Sequence, residues 1–284
     1  MAYRAALASI WASYRFNLRL RGNLFRRLGY NTARWALYLR MRYIWPRCDS
    51  MEASAASLRE LGARGANFRL VEVTLPNGLE LALDQFTAQL ILKEIWEDGI
   101  YWAEEGFSPG AGDIVFDIGA QQGIYSTLAA RAGAAVVCAE PEPRNFGLLS
   151  GNLERNGLAG KLFDAAISDE EGDGVLLRSP DNSGGHSLHA SAGLSDGTKV
   201  RKISLEALSR QAGCEPTLLK IDVEGHVLAV LRSGLELIGR CRPRIVLELD
   251  ESADEEKISG LLSPFGYAVA RTGNNVFARP LPRT

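Results

Sequence analysis

After Gly110 the sequence keeps a rhythm that few folds accommodate. A short apolar run is followed by a glycine-bearing or acidic turn and then an amphipathic stretch, several times over. Apolar runs at Ile114–Ile118, Ala135–Ala139, Leu162–Ile167, Val175–Arg178, Thr217–Ile221 and Arg244–Leu249 read as strands. Spacing of three and four residues predicts helices over Tyr125–Ala132, Asn145–Asn156, Leu205–Ala212, His226–Leu237 and Glu255–Leu262. Strands separated by helices pair in parallel, and near-continuous apolar strands must be covered on both faces. The expected fold is therefore α/β and Rossmann-like, with a mostly parallel sheet between helices. Tyr267–Ala270 and Asn275–Ala278 flank a Gly273-Asn274 turn and predict a closing strand pair.

Upstream the pattern differs. Val71, Val73 and Leu75 alternate with polar residues, Asn77-Gly78 makes a turn, and Leu79, Leu81 and Leu83 follow, which is a hairpin signal. A helix is expected over Thr87–Trp96. The first 47 residues are rich in arginine and aromatics, and Leu7, Ile10, Trp11, Tyr14 and Leu18 share one face at helical spacing. The chain thus divides into a helical extension (1–47), a hairpin and helix leading into the core (48–109), and the α/β domain (110–284).

Net charge sharpens that division. Met1 to Cys48 holds ten arginines and no acid, leaving 22 basic and 34 acidic residues downstream, a balance of −12. A basic aromatic extension suits packing on the acidic core, an anionic membrane surface or self-association into a homo-oligomer, and nucleic acid least. Vesicle co-sedimentation with and without residues 1–47 separates these. No run of about 18 apolar residues predicts a membrane span. Four unpaired-looking cysteines and three histidines suggest neither a disulfide framework nor a metal site, so the cytoplasm is the expected compartment, with peripheral membrane contact as the variant.

Four strand ends carry residues with chemical potential. Asp117-Ile118-Gly119-Ala120-Gln121-Gln122-Gly123 closes the first core strand, and its glycines let the backbone turn close to a ligand. A dinucleotide fingerprint would begin with glycine where Asp117 stands. A carboxylate there suits a cationic, hydroxyl-rich, phosphate-free ligand such as S-adenosylmethionine; alternatively Asp117 only caps the turn. Glu140, followed by Pro141, ends the next strand, where nucleotide-binding units hold a ribose diol. Asp164-Ala165-Ala166 ends the third, where an acid can accept from an adenine amino group beside small side chains. Lys220-Ile221-Asp222-Val223-Glu224-Gly225-His226 ends a buried strand in charge. Alternation sends Lys220, Asp222 and Glu224 to one side, and the lysine keeps the carboxylates ionised, whether for chemistry or as an ion-pair network. A fifth segment, Asp181 to His189, is polar and glycine-rich; it reads either as a gating loop with His186 or His189 as proton acceptor, or as a plain exposed loop.

Together these segments resemble the FkbM-type methyltransferase family. The matching runs are D-I-G-A-Q-Q-G-I-Y-S (117–126), A-E-P-E-P-R-N-F-G-L-L (139–149), N-L-E-R-N-G-L (152–158), A-A-I-S-D (165–169), K-I-D-V-E-G-H (220–226) and I-V-L-E-L (245–249). The resemblance implies a class I methyltransferase fold, a seven-stranded sheet with an antiparallel last strand, and S-adenosylmethionine as cofactor. It implies O-methylation of a sugar, glycan or natural product. Asp117, Gly119, Ala120, Gln121, Gly123, Glu140, Pro141, Asn145, Asp164 and Ala165 then inherit cofactor binding. Asp222, Glu224, Lys220 and His186 are the catalytic candidates, with no metal expected. Gln121 stands where the family often has asparagine, and residues 1–47 lie outside the resemblance. Two rival functions remain: a nucleotide-dependent oxidoreductase, and a non-catalytic methyltransferase-like module that binds a partner or membrane through its N-terminal helices.

Overall fold

A computed structural model describes residues 70–84, 87–88, 91–178, 195–249 and 253–282. The N-terminal extension and the loop bearing His186 and His189 lie outside the described residues. Two compact units are present, divided between Asp98 and Gly99.

In the first unit, β1 (Leu70–Thr74) pairs antiparallel with β2 (Glu80–Asp84), with Val71 opposite Leu83 and Val73 opposite Leu81. The expected hairpin closes through a Leu75–Leu79 backbone pair, and Asn77 Oδ1 accepts from the Leu79 N–H at 3.2 Å. Gly78 takes φ +87°, the left-handed region that this turn requires and glycine enters freely. Where a regular helix is expected, Lys93–Asp98 forms a wider π-helical turn.

The second unit holds the sheet that positions the site. Its strands are β3 (Ile114–Ile118), β4 (Ala135–Ala139), β5 (Lys161–Phe163), β9 (Leu218–Ile221), β10 (Arg244–Glu248), β11 (Tyr267–Thr272) and β12 (Asn275–Pro280). They lie in the order β11-β12-β10-β9-β3-β4-β5. From β10 to β5 every pair is parallel, while β12 runs antiparallel to both its neighbours. The order reverses at β3, which opens a crevice at the carboxyl ends of β3, β4 and β9.

Period-two alternation divides the strands. Phe116, Ile118, Val137, Ala139, Leu219, Ile221, Ile245 and Leu247 enter one apolar core with residues of α3 (Leu205–Ala212), α4 (Val227–Arg232), α5 (Leu235–Cys241) and α6 (Ala253–Leu262). Each fully buried Leu or Ile there contributes about 2 kcal/mol of transfer free energy. Asp117, Cys138 and Lys220 alternate with that set and are buried on the other face. The helices α1 (Ile124–Arg131) and α2 (Pro143–Arg155) follow β3 and β4. α2 starts two residues before the expected Asn145. Proline suits a first helical turn, and Glu142 caps the end by accepting the Asn145 N–H at 2.7 Å.

Three departures from the expected elements have local causes. The run Leu162–Ile167 is not one strand. β5 stays in the large sheet, while β6 (Ala166–Ile167) joins a three-stranded sheet with β8 (Ser195–Ile203) and β7 (Gly172–Arg178). β8 escapes a pattern reading because its residues are largely polar and Gly197 interrupts it. The helix expected over His226–Leu237 breaks into α4 and α5 at Ser233-Gly234. There the Ser233 hydroxyl accepts the Leu205 N–H at 3.0 Å and donates to the Val230 carbonyl at 2.7 Å. A Cβ on Gly234 would come within 2.5 Å of Leu205. Among the described residues no helix is long and apolar enough to cross a membrane.

Candidate functional site

The turn after β3 is built by backbone crossing. Gly119 has φ +76°, and a Cβ there would lie 1.9 Å from the Asp222 carbonyl oxygen. Only glycine lets the first loop pass so close to the end of β9. Four of the turn's amides are spoken for. Gly119 and Ala120 both donate to the Ala139 carbonyl at 3.0 and 3.1 Å, Gln121 to Glu140 Oε2 at 2.8 Å, and Gly123 to the Ala120 carbonyl at 2.9 Å. A phosphate-cradling loop keeps such N–H groups for its ligand. This turn does not, and it turns a carboxylate toward itself. It fits a ligand that offers hydroxyls and positive charge.

That carboxylate is Glu140. Besides the Gln121 amide it accepts the Glu142 N–H on Oε1 at 2.8 Å, so both oxygens are oriented while lone pairs remain. Burial pushes its pKa up to about 7, against the lowering effect of the two backbone hydrogen bonds. Gln121 holds φ +51°, a left-handed conformation that aims its amide at Glu140. Asn145 Oδ1 accepts from Gln122 Nε2 at 3.2 Å, and Asn152 Nδ2 donates to the Gln122 carbonyl at 2.8 Å. Two turns of α2 thereby hold the glycine turn in place. Pro141 is half-buried beside them.

At β9 the second cluster forms. Lys220 Nζ lies 3.0 Å from Asp117 Oδ1 and 3.4 Å from Asp222 Oδ2, and donates to the Gly119 carbonyl at 2.8 Å. Asp117 also accepts from the Ser126 hydroxyl. Burial raises the Asp117 pKa, opposed by Lys220 and by hydrogen bonds from Ser126 and Lys220. Burial works to lower the Lys220 pKa, but Asp117, Asp222 and Glu248 outweigh it and hold the ammonium charged. Tyr101, buried in a 3-10 turn over Ile100–Trp102, places its hydroxyl 2.6 Å from Asp222 Oδ2 and 3.2 Å from Glu248 Oε2. Asp222, Val223, Glu224 and Glu248 line a small open depression.

The expected residues therefore fall into distinct places. Gly119, Ala120, Gln121, Gly123, Glu140, Pro141 and Asn145 cluster at the crevice mouth. Asp117 lies fully buried beneath, joined to Asp222 through Lys220. β9 ends at Ile221, so Glu224 reaches the depression from the following turn and not by strand alternation. Asp164 is exposed just past β5, whereas Ala165 is buried in the apolar core. Among the described residues no group of three or more metal-ligating side chains forms. Sequence reasoning gave no role to Glu248 or Tyr101. Glu248 had a signal, a charge ending the apolar run Ile245–Leu247; Tyr101 had none.

The strand order, the antiparallel β12 and an amide-satisfied glycine turn facing an acid define a class I, Rossmann-like methyltransferase. The profile described as Methyltransferase FkbM domain matches residues 117–270. The chain belongs to the FkbM methyltransferase family, whose methyl donor is S-adenosylmethionine. It is 29% identical over 240 residues to the 31-O-demethyl-FK506 methyltransferase FkbM of Streptomyces tacrolimicus, covering 72% of this chain and 91% of that one. It also resembles the solved methyltransferase FkbM of Methylobacillus flagellatus, with a TM-score of 0.45 and 13% identity over 80% of this chain and 59% of that one. A similar likeness holds to magnesium protoporphyrin IX methyltransferase of Synechocystis, solved with bound S-adenosylmethionine, at a TM-score of 0.40 and 15% identity over 69% and 83% of the chains.

Proposed function

We propose that this methyltransferase transfers its methyl group to a hydroxyl oxygen of a sugar, glycan or natural product, with Asp222 taking the acceptor's proton. S-adenosylmethionine supplies an activated methyl group when bound. The protein's part is to hold the acceptor oxygen in line with that group and to receive a proton, and positioning supplies most of the rate.

The observation that carries the reading is the state of Asp222. Its carboxylate stands at the carboxyl end of β9, beside the Gly119 turn, with its side chain 35% exposed and lining the depression. Both of its side-chain contacts fall on Oδ2. Among the described residues none falls on Oδ1, which leaves an acceptor for an incoming hydroxyl. Lys220 lies 3.4 Å from the same Oδ2, and Glu224 extends the same depression; His186 is the further candidate from the loop outside the described residues. On the cofactor side Glu140 takes the ribose hydroxyls on its remaining lone pairs, and Asp164 the adenine amino group. Gly119, Ala120, Gln121 and Gly123 would let the turn approach the cofactor, with Pro141 and Asn145 beside that turn, Asp117 buried beneath it, and Ala165 a small side chain next to Asp164. The name of the Streptomyces relative, a 31-O-demethyl-FK506 methyltransferase, supports an oxygen acceptor on a natural product.

Isotope-labelled S-adenosylmethionine incubated with glycan and natural-product extracts tests the proposal. Label is expected in an alkali-stable methyl ether, and Asp222→Asn is expected to cut transfer by about 100-fold or more. Label on nitrogen or carbon, or full transfer by Asp222→Asn, would refute it.

A further inference from the structure

The phenol of Tyr101 sits where the reaction proposed above needs a fixed carboxylate. We infer that Tyr101 is a positioning residue that locks Asp222 by one oxygen so that the other faces the acceptor hydroxyl. The inference rests on the reading of Asp222 as proton acceptor.

The geometry has four parts. First, Tyr101 carries one hydroxyl proton and faces two carboxylates, Asp222 at 2.6 Å and Glu248 at 3.2 Å. The proton goes to the nearer, so the hydrogen bond to Asp222 Oδ2 is charge-assisted and directional. Secondly, Lys220 approaches the same Oδ2 at 3.4 Å and lies 5.2 Å from the Tyr101 ring centroid. Phenol and ammonium thus engage one oxygen of Asp222 from the protein side. Thirdly, the Tyr101 ring cannot swing away. It is 2% exposed and packs edge-on against Tyr125 at 5.4 Å, while Trp102 stacks on the same Tyr125 at 6.1 Å. Fourthly, the backbone bearing Tyr101 is tied to the sheet. Asn275 Nδ2 donates to the Ile100 carbonyl at 3.1 Å, and Asn275 is the register partner of Glu248 across β10 and β12. The turn therefore moves with the strand end that carries the second carboxylate.

Burial and the charges of Asp222 and Glu248 hold the Tyr101 hydroxyl well above its ordinary pKa, so it stays a donor. Tyr101 lies outside the stretch 117–270 that the family profile matches.

The test combines spectroscopy with turnover. [4-13C]Aspartate-labelled protein loaded with S-adenosylhomocysteine is compared as wild type, Tyr101→Phe and Asp222→Asn. The Asp222 carboxyl resonance is the one absent from Asp222→Asn. It is expected to shift and broaden in Tyr101→Phe while S-adenosylhomocysteine affinity stays within about twofold. In the labelled-extract assay, Tyr101→Phe is expected to lower the saturating rate about 10- to 100-fold with little change in half-saturating extract concentration. Tyr101→Phe combined with Asp222→Asn should be no slower than Asp222→Asn alone. A folded Tyr101→Phe with an unmoved resonance, with wild-type rate, or with a rate loss that multiplies that of Asp222→Asn overturns the inference. If Tyr101→Phe does not fold, Asn275→Ala, which loosens only the anchor, must shift the same resonance; an unmoved signal there overturns it equally. Full transfer by Asp222→Asn instead refutes the proton-acceptor reading and leaves the hydrogen-bond result standing, so the two failures are separable.

Discussion

Replacing Lys220 with methionine keeps the aliphatic stem and deletes the charge under the site. Asp117 would then be a fully buried carboxylate held by the Ser126 hydroxyl. At 3.0 Å and an effective dielectric near 20, the lost attraction is about 5 kcal/mol before desolvation is counted. Part of that is recovered, because the ammonium no longer has to be desolvated. Breaking one partner of a buried pair typically costs about 3–5 kcal/mol, and we expect Lys220→Met to fall there, a drop in Tm of roughly 10 °C. The penalty should depend on pH in a defined sense. Without Lys220 the folded-state pKa of Asp117 rises further above its unfolded value of about 3.9. The folded state then favours the protonated form, so the deficit is smallest at low pH and grows as pH rises. Urea unfolding of the apo protein at pH 5 and pH 8 measures both quantities. Asp117→Asn combined with Lys220→Met should recover at least half of the loss, since no charge is left unpaired. A Lys220→Met cost below about 1 kcal/mol, or a double variant less stable than Lys220→Met, would refute the claim that this pair is an interdependent buried unit.

Two further predictions concern the other half of the site. Gly119→Ala places a Cβ 1.9 Å from the Asp222 carbonyl and should cost several kcal/mol with loss of S-adenosylhomocysteine binding; Gly112→Ala, at φ +91° with open space around it, should cost only about 1–2 kcal/mol. Equal denaturation midpoints for the two variants would show that the close crossing is not what demands glycine. Glu140, with its pKa raised to about 7 by burial, contributes stability that is full below its unfolded value of about 4.3 and is lost as pH climbs through the raised value. The apo protein should therefore lose on the order of 3 kcal/mol between pH 4.5 and 7.5 from this group, and Glu140→Gln should remove that slope in urea titrations. Identical slopes in both proteins would sink the argument.

Much of the sheet was legible because parallel strands buried on both faces read as plain apolar runs. β3 and β4 fall on the expected residues, Ile114–Ile118 and Ala135–Ala139. Helix α3 was equally clear, since Ser204 caps it and Gly213 ends it in the left-handed region. Of the three-stranded sheet only the end of β7 was legible, as the expected strand Val175–Arg178. β6 is two residues long, Val175 in β7 is half-exposed, and glycines interrupt β7 and β8, so little burial pattern exists to read.

What the sequence determined by itself was chemistry at strand ends. An acid at 117, a glycine at 119, an acid at 140 and a Lys-Ile-Asp stretch at 220–222 must meet at one edge once the strands are parallel, because each lies at a strand's carboxyl end. Only the tertiary structure decided their ranks. It put Asp117 under the site, since the residue alternates with Phe116 and Ile118 and comes within reach of Lys220 on the neighbouring strand. It also brought Tyr101, 121 positions away in sequence, onto Asp222. Side-chain period fixes which face a residue takes, but packing between distant segments fixes what it meets there, and no local pattern encodes that.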